Sequence, residues 1–406
     1  MYLRSGKKLF RTTMSGEKIY EGIFAVHKPQ GVTSADVIRK LQSHFNPSEL
    51  FRPWLETECE RRNRESNFQR RRRRSQRLDV KIGHGGTLDP LATGILVTAV
   101  GKGTKQLQDF LLCTKTYETV VLFGAETDTY DVTGKVVKRA PYEHITREAV
   151  EKALEQFRGK IMQRPPIFSA LRANGKRLYE YAREGKEPPI EIKERPVEVT
   201  DMRIVEWYAP GTHEYKWPEE APAEEMATAE KMLERADSLP AAPTVSEADE
   251  SGSAKRKSPP ADSSSNENAT FETKKQKLTA EGDAASVPSE QPDDPETTEP
   301  TSAAEVQPDT PAESEHEPQS QPPAVKITMT VSSGFYVRSL AHDLGKAVGS
   351  CGHMTSLVRS RQADFKLEPA QVLEYADLDA GEEVWGPKVK RFLEEWETKR
   401  AAKDSE

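Results

Sequence analysis

The chain has 406 residues, of which 35% are hydrophobic and 31% are charged, and its formal net charge is −7. This composition is polar for a wholly globular chain, so part of it is expected to stay unfolded. No run of about 18 apolar residues is present, which argues against a membrane-spanning helix. The three cysteines, Cys59, Cys113 and Cys351, lie far apart and predict neither a disulfide framework nor a zinc site.

The net charge conceals two regions of opposite sign. Between Glu219 and Pro323 there are 25 acidic residues and 8 Lys or Arg, whereas the rest of the chain has 51 basic and 41 acidic residues. The part that is expected to fold is therefore basic, which suits a polyanionic partner such as nucleic acid.

The chain begins with a basic extension, residues 1–19, whose first 14 residues contain four Lys or Arg and no acid. Such a segment is typical of a mitochondrial transit peptide, and a frayed basic terminus is the alternative. The first folding signals follow it. Residues 23–26 predict a strand, 29–31 predict a turn, and a helix is expected to begin at Thr33 or Ser34.

An arginine-rich insertion, residues 43–80, interrupts this pattern. It loses hydrophobic periodicity and contains five consecutive arginines, Arg70 to Arg74. Such a run repels itself and is usually solvated. Two functional interpretations stay open: a nuclear import signal, and an arm that contacts RNA phosphates.

Periodicity predicts the remaining elements. Strands are expected at 117–123, 197–207 and 325–331, the last from strict alternation of apolar and polar residues, and an amphipathic helix at 146–157. The acidic insertion, 209–324, is predicted to be disordered because it cannot bury enough apolar surface to offset chain entropy.

Charged residues are clustered within the acidic insertion and again in the C-terminal tail. Lys255 to Lys257 and Lys274 to Lys277, inside the acidic insertion, predict either a bipartite nuclear signal or two solvated clusters. The chain ends in a charged tail, residues 381–406, in which 384–400 is expected to be helical.

The most informative stretch is 83–96, GHGGTLDPLATGIL. Its glycines allow the backbone to approach a ligand closely and to adopt positive φ. They lead to one carboxylate, Asp89, whose place before Pro90 is also typical of a helix or turn cap. Residues 101–104, Gly-Lys-Gly-Thr, hint at a phosphate loop but do not match its template, which argues against a nucleotide-dependent enzyme.

The glycine-rich stretch resembles the catalytic signature of the TruB-type tRNA pseudouridine synthases. Further blocks resemble that family in the same order along the chain, at 27–34, 115–118, 163–172 and 333–340. The large insertions, the GHGG variant of the loop and the lack of sequence for a C-terminal PUA domain are most similar to the fungal tRNA pseudouridine-55 synthase branch.

The resemblance implies an α+β pseudouridine synthase fold, with a mixed central β-sheet, flanking helices and loops, a catalytic cleft across the sheet, and no PUA domain. One catalytic domain is expected from residues 20–208 and 325–380. The implied reaction isomerises uridine 55 in the T loop of tRNA to pseudouridine, and it needs no cofactor. A target inside a folded hairpin must be flipped out of its stack, at a cost of a few kcal/mol.

Three catalytic residues are implied by the resemblance. Asp89 is the expected nucleophile, which attacks the uridine base or its ribose carbon. Tyr117 is expected to stack on the target base, and Arg338 to pair with Asp89 and favour its ionised form. Without the family, Tyr117 is interpreted as a core aromatic and Arg338 as a phosphate-contacting or surface arginine.

The resemblance also implies a set of residues that bind RNA or substrate. His84 is expected to fill the space that the flipped base leaves, and Leu357 to line the uracil pocket, with a core leucine as the alternative. The remaining candidates are Gly85, Gly86, Tyr336 and Lys28. Gly85 is a departure, because bacterial members of the family usually carry threonine there.

No metal is expected in this site. The pattern Thr-Asp-Thr-Tyr-Asp places Asp128 and Asp131 close together, but a turn stabilised by Asp side chains is favoured over a cation site.

The expected partner is tRNA, recognised through its T arm, with mRNA stem-loops left open as further substrates. No membrane partner is expected. The protein is expected to be a monomer in the nucleus and the mitochondrion, with the cytoplasm as an alternative. The rival hypothesis is a tRNA-binding chaperone that acts without catalysis.

Overall fold

The computed structural model describes residues 11–13, 16–73, 77–184, 186, 189–222, 226 and 321–403. These residues all belong to one compact unit of the chain. The start of the N-terminal extension and most of the acidic insertion, with both lysine-rich clusters, lie outside the described residues, so the predictions for those segments stay predictions.

The strands of the described residues range from two to 14 residues in length. They are β1 (Arg11–Thr12), β2 (Lys18–Ile19), β3 (Gly22–Lys28), β4 (Ile82–His84), β5 (Thr93–Val100), β6 (Lys115–Phe123), β7 (Ala125–Thr127), β8 (Val136–Arg139), β9 (Gly159–Gln163), β10 (Arg172–Ala173), β11 (Lys176–Arg177), β12 (Arg195–Tyr208), β13 (Ala324–Val331), β14 (Gly352–Gln362), β15 (Phe365–Lys366) and β16 (Val372–Glu374).

The helices flank these strands along the chain. They are α1 (Ser34–Phe45), α2 (Arg52–Asn63), α3 (Asn67–Arg73), α4 (Leu107–Leu112), α5 (Arg147–Leu154), α6 (Leu178–Arg183), α7 (Val337–Ala347) and α8 (Glu382–Lys403). Among them none is long and apolar enough to cross a membrane. The predicted strands and the predicted helix at 146–157 are confirmed with shifts of a few residues at their ends.

Ten strands form one mixed sheet. Its order is β16-β3-β5-β14-β6-β13-β12-β9, with β4 paired to β5 and β15 paired to β14. The pairs β16–β3 and β14–β5 are parallel, and the other pairs are antiparallel. The predicted α+β fold with a mixed central sheet and flanking helices is confirmed.

The acidic insertion leaves and re-enters this sheet at one point. Tyr208, the last residue of β12, pairs with Ala324, the first residue of β13. A long insertion is tolerated there because closing a loop costs only about 0.6 kcal/mol more for each doubling of its length. The prediction that disorder begins at residue 209 is wrong for 209–222, because Trp217 donates to the Phe123 carbonyl at 2.9 Å in that segment.

Helix α1 shows how the sequence positions the loops around it. Thr33 caps the helix by accepting from the Asp36 N–H at 3.1 Å, and the Asp36 carboxylate accepts from the Thr33 N–H at 3.1 Å in return. Val37, Leu41 and Phe45 are completely buried on one face. Each such side chain contributes about 1.5–3 kcal/mol by burial. The helix start predicted at Thr33 or Ser34 is confirmed.

The arginine-rich insertion contains the helices α2 and α3. Trp54 of α2 donates its indole N–H to the Glu21 carboxylate at 3.0 Å, which holds the helix to the domain. Arg61 pairs with Glu58 and Glu65, one turn away in either direction. The apolar contacts of α2 are confined to its first turn, at Trp54 and Leu55, and Arg–Glu pairs support its other end. The helix therefore has no continuous apolar stripe, which is why periodicity predicted no helix here.

Helix α8 belongs to the core and is not a detached tail. Trp385 is 1% exposed, and its ring centroid lies 4.9 Å from that of Phe45 in α1. The Lys18 ammonium lies 2.5 Å from the Glu394 carboxylate, so α8 also holds the N-terminal strands. The predicted helix is present, and its buried face completes the packing around β3.

Candidate active site

Asp89 lies on the loop between β4 and β5, and this loop is fixed by contacts with α1 and its preceding turn. The Ser34 hydroxyl accepts from the Leu88 N–H at 2.9 Å and donates to the Leu88 carbonyl at 3.1 Å. The Gly31 N–H donates to the Pro90 carbonyl at 2.8 Å. The side chain of Asp89 is nevertheless 40% exposed. A rigid backbone therefore presents one carboxylate to solvent.

Arg338 approaches this carboxylate from the first turn of α7. Its Nε lies 2.9 Å from Asp89 Oδ2 and 3.8 Å from Asp131 Oδ2. Its Nη1 donates to the Thr129 carbonyl at 3.0 Å, and its Nη2 to the Phe168 carbonyl at 2.9 Å. The side chain is 8% exposed. The guanidinium is therefore held in one orientation, with a positive charge against Asp89.

Asp131 stands behind this pair and organises the turn that leads into β8. It is buried, and its Oδ1 accepts from the Thr129 hydroxyl, the Thr133 N–H and the Thr133 hydroxyl. Asp128 accepts from the Lys135 N–H at 2.9 Å, and burial is the main cause that raises its pKa. The predicted Asp-stabilised turn is confirmed. Within the described residues, no group of three or more His, Cys, Asp or Glu could hold a metal ion.

Tyr117 and Leu357, which we call the apolar wall, belong to the buried cluster that also contains the leucines on either side of Asp89. Tyr117 is 8% exposed on β6, and Leu357 is 7% exposed on the neighbouring β14. These leucines are Leu88 and Leu91. The fold thus brings the strand of the tyrosine and the loop of the carboxylate together, and the roles of Tyr117 and Leu357 stay predictions.

Tyr336 precedes α7 and is clamped by Gln163 at the end of β9. The Tyr336 N–H donates to Gln163 Oε1 at 2.8 Å, and the Gln163 amide donates back to the Tyr336 carbonyl at 3.0 Å. Burial raises the pKa of the Tyr336 phenol, and the charges of Arg338 and Asp89 also act on it. Gln163 thus fixes the backbone of Tyr336 two residues before Arg338, and the role of Tyr336 in substrate binding stays a prediction.

His84 ends β4 immediately before the glycine pair. Its side chain is half-buried, and its Nδ1 makes no hydrogen bond within the described part of the chain. Burial is the main cause that lowers its pKa, and the positive charge of Arg359 acts in the same direction. The His84 ring is therefore only partly accessible, and its stacking in RNA stays a prediction.

Lys28 is a correction to the sequence analysis, which placed it among the RNA-binding residues. Its side chain is completely buried, and its ammonium donates to the carbonyls of Pro29, Pro90 and Ala92 at 2.8, 3.2 and 2.6 Å. Burial lowers its pKa to about 8, against the opposing effect of the Asp89 charge. Lys28 cannot contact RNA from this buried position. Its ammonium instead holds the Asp89 loop in place through the carbonyls of Pro90 and Ala92.

The predicted RNA-binding role of Gly85 and Gly86 is corrected for the same reason, because both residues are buried. Their carbonyls accept from buried side chains, Gly85 from Gln362 Nε2 at 2.6 Å and Gly86 from Arg359 Nη2 at 3.2 Å. A Cβ on Gly85 would lie 2.6 Å from Cβ of Phe110. Glycine is required here by close packing, which also explains why threonine is absent.

Arg359 and Gln362 are the residues that the sequence analysis missed. Arg359 is 1% exposed and also donates to the Ile95 carbonyl at 2.7 Å. Gln362 is completely buried and also donates to the Phe110 carbonyl at 3.0 Å. One signal was available, because Arg359 lies two residues after Leu357 and a strand places such residues on the same face. A charged residue in that register must bond to the fold around it.

An accessible carboxylate, held by a buried guanidinium next to a buried aromatic strand, points to the class of enzymes that use a carboxylate as nucleophile. Residues 71–217 match the family model for the TruB family pseudouridylate synthase, N-terminal domain. The chain is 39% identical over 364 residues to tRNA pseudouridine synthase 4 of Schizosaccharomyces pombe, covering 88% of this chain and 83% of the relative.

The same name is carried by a relative from Saccharomyces cerevisiae, which is 31% identical over 388 residues, covering 93% of this chain and 86% of the relative. A solved Cbf5-Nop10-Gar1 complex contains a chain that aligns with a TM-score of 0.43 and 16% identity, covering 96% of this chain and 65% of the other. The two fungal relatives establish that the chain belongs to the TruB family of pseudouridine synthases, as its motifs predicted.

Proposed function

We propose that the protein isomerises uridine 55 in the T loop of tRNA to pseudouridine, with Asp89 as nucleophile. The observation that carries this proposal is the 2.9 Å contact between Arg338 Nε and the half-exposed carboxylate of Asp89. Both fungal relatives are named as tRNA pseudouridine synthases, which supports tRNA as the substrate and catalysis over a purely chaperone role.

The reaction requires Asp89 to attack the uracil ring or the ribose carbon, and to leave again at the end. The bond from the base nitrogen to the ribose carbon breaks, the uracil turns within the site, and a carbon–carbon bond forms to the same ribose carbon. The proton displaced from that ring carbon is lost, and a nitrogen of the turned base is protonated. Product and substrate have the same atoms, so the balance needs no oxidant, reductant or second substrate.

The surrounding residues divide the remaining tasks. Arg338 keeps the attacking carboxylate in place and offers it a fixed positive charge. The apolar wall of Tyr117 and Leu357 gives the detached uracil a surface on which to stack and turn, shielded from water. His84, at the edge of the loop, is proposed to occupy the gap that the flipped base leaves in the RNA, which offsets part of the lost stacking.

A T-arm hairpin tests this proposal directly. The full chain is incubated with a synthetic hairpin that carries uridine at position 55, the RNA is digested to nucleosides, and pseudouridine is quantified by chromatography. We expect complete conversion at that position and none in a hairpin that carries cytidine there. Unchanged uridine 55, under conditions where the hairpin binds, would overturn the proposal.

We also propose that one chain is sufficient for activity, because Asp89 and Arg338 already form their ion pair within a single copy. The basic N-terminal extension and the lysine-rich clusters of the acidic insertion support a dual location in mitochondrion and nucleus. Fluorescent fusions that start at Met1 or at Met14 test this, because only the longer form is expected in mitochondria. Identical distributions would reject the transit segment.

A further inference from the structure

We propose that a strip of exposed basic side chains binds the phosphate backbone of the tRNA beyond its T loop. We call it the basic track. Its members lie on helix α3, on the segment before β4 and on the turn after β5, and they are Arg70, Arg71, Arg77, Lys81, Lys102 and Lys105. Arg77 also lies 4.0 Å from the Asp79 carboxylate. This inference rests on the proposed function, because it takes tRNA to be the substrate.

The first argument is charge. Between Arg61 and Lys105 the sequence has twelve Lys or Arg and only three Asp or Glu. A field of one sign across a surface attracts a polyanion and raises its association rate. The acidic insertion makes the chain as a whole negative, so this local excess is not a general property of the protein.

The second argument is how the two helices of the arginine-rich insertion differ. At the C-terminal end of α2, Arg62 Nε lies 3.3 Å from Glu58 Oε1, and Arg64 Nη2 lies 3.7 Å from Glu60 Oε2. On α3, Arg70 donates to the Asn63 carbonyl at 2.8 Å, and neither Arg70 nor Arg71 pairs with a carboxylate among the described residues. The charges of Arg62 and Arg64 are thus compensated by nearby carboxylates, whereas the guanidinium groups of Arg70 and Arg71 are exposed and able to bind phosphate.

The third argument is position. Asn46 at the end of α1 bonds to the Asp79 carboxylate at 2.9 Å and to the Val80 N–H at 2.8 Å, which anchors the exit of the insertion to the domain. The Lys81 carbonyl accepts from the Gly101 N–H at 2.8 Å, so Lys81 and the turn that carries Lys102 are neighbours.

The proximal part of the basic track, which contains Lys81, is close along the chain to His84, the residue proposed to enter the T loop. His84 follows Lys81 by three residues of extended chain, or about 10 Å at the rise of a strand. An RNA hairpin whose loop reaches His84 has to continue along a neighbouring surface, and the basic track supplies one of complementary charge.

Helix α3 also carries an aromatic side chain. Phe68 is 70% exposed, the largest exposed fraction among the large hydrophobic residues described. An exposed aromatic ring among arginines is the combination that nucleic-acid surfaces use, because the arginines hold the backbone and the ring stacks on an unpaired base. Phe68 thus favours RNA over an acidic protein surface as the occupant.

The experiment compares two RNAs and two positions along the track. Arg70→Gln with Arg71→Gln alters the distal end, and Lys81→Gln with Lys102→Gln alters the proximal end. Arg147→Gln with Lys152→Gln serves as the matched control, because it removes two exposed basic side chains on α5. Dissociation constants of full-length tRNA and of the T-arm hairpin are measured at several salt concentrations, together with kcat and KM for pseudouridine formation.

We expect the distal pair to weaken full-length tRNA binding by about tenfold at low salt. It should also lower the slope of log K against log salt by about one to two, because each lost phosphate contact removes roughly 0.7–0.9 from that slope. Its kcat and its hairpin binding should stay within about twofold of the native values. The proximal pair should weaken both RNAs, and the control pair neither.

An unchanged salt slope and an unchanged tRNA affinity in the distal pair would overturn the basic track, as would an equal effect of the control pair. Binding and turnover are measured separately, so the experiment can reject the basic track without rejecting pseudouridine formation, and the reverse. If the native protein binds tRNA along the track but forms no pseudouridine, the proposed function fails and the binding surface stands.

Discussion

The loop of Asp89 has an open side and a closed side, which differ in the partners of their polar side chains. On the open side, Asp89 is half-exposed and meets Arg338 at 2.9 Å. On the closed side, Lys28, Arg359 and Gln362 are almost completely buried and donate to loop carbonyls and their neighbours. Polar residues of similar type therefore have two roles, and what distinguishes them is the partner: Arg338 faces an exposed carboxylate, whereas Lys28, Arg359 and Gln362 donate to backbone carbonyls.

The open side is tested most strongly by Asp89→Asn. We expect kcat to fall by at least about 10³-fold, because a lost nucleophile is not replaced by binding alone. The affinity for tRNA and the thermal midpoint should change little, since the side chain is half-exposed and the amide has the same shape. Single-turnover pseudouridine formation and tRNA binding are the measurements. A variant that retains turnover would assign the nucleophile elsewhere.

Arg338→Lys is expected to affect both catalysis and stability, because Arg338 faces Asp89 and is itself buried. A lysine cannot make the bonds to the carbonyls of Thr129 and Phe168 while facing Asp89. We expect a loss of about 10²-fold or more in kcat and a lower free energy of unfolding, by up to about 3–5 kcal/mol if the buried Asp131 loses its partner.

A second substitution separates these two effects of Arg338→Lys. Adding Asp131→Asn should recover part of the stability, because no buried carboxylate is then left unpaired, but it should not recover turnover. Urea unfolding and kcat are compared for the single and double variants. Recovery of turnover together with stability would show that Arg338 acts only through the fold.

Lys28→Met tests the closed side through its pH dependence. The folded pKa of Lys28 is about 8, below its ordinary value of 10.5, so the unfolded chain holds more protons between these limits. Stability of the native protein should therefore rise with pH from about 8 to 10.5, by up to about 3 kcal/mol, relative to the methionine variant. Urea unfolding across this range measures it, and parallel curves for the two proteins would refute the assignment.

Gly85→Ala is expected to have the smallest effect, about 1–3 kcal/mol of stability, because its Cβ would meet Phe110 at 2.6 Å. Gly159→Ala is the control, since its Cβ meets nothing within 4 Å and only its positive φ is strained. Thermal unfolding compares the two. If Gly85→Ala folds as stably as the native chain but loses turnover, the glycine has a role in the substrate complex that packing does not explain.

The sequence predicted much of the fold because local signals agree with it. The alternation at 325–331 and the cap at Thr33 both appear in the structure, and the resemblance to the TruB family predicted the contact of Asp89 with Arg338. The closed side was missed because burial depends on contacts between distant residues. Lys28 meets Pro90 and Ala92 across more than 60 residues.

The packing of α8 and the presence of α2 were missed for the same reason, although the helix of residues 384–400 was predicted. Helix α8 has no clear apolar stripe of its own, yet Trp385 is buried against Phe45, which is more than 300 residues earlier in the chain. The helix α2 depends on the contact of Trp54 with Glu21. Neither partner can be identified from the local pattern of residues, since tertiary packing overrides it.

The central claim is that one flipped uridine occupies the space shared by Asp89, Tyr117 and Arg338. The most direct measurement is a structure of the Asp89→Asn variant bound to the T-arm hairpin. We expect the target uracil to lie outside the hairpin stack, with its face on the ring of Tyr117 and its ribose beside Asn at position 89. A hairpin bound with uridine 55 still stacked, or held away from these three side chains, would contradict the account.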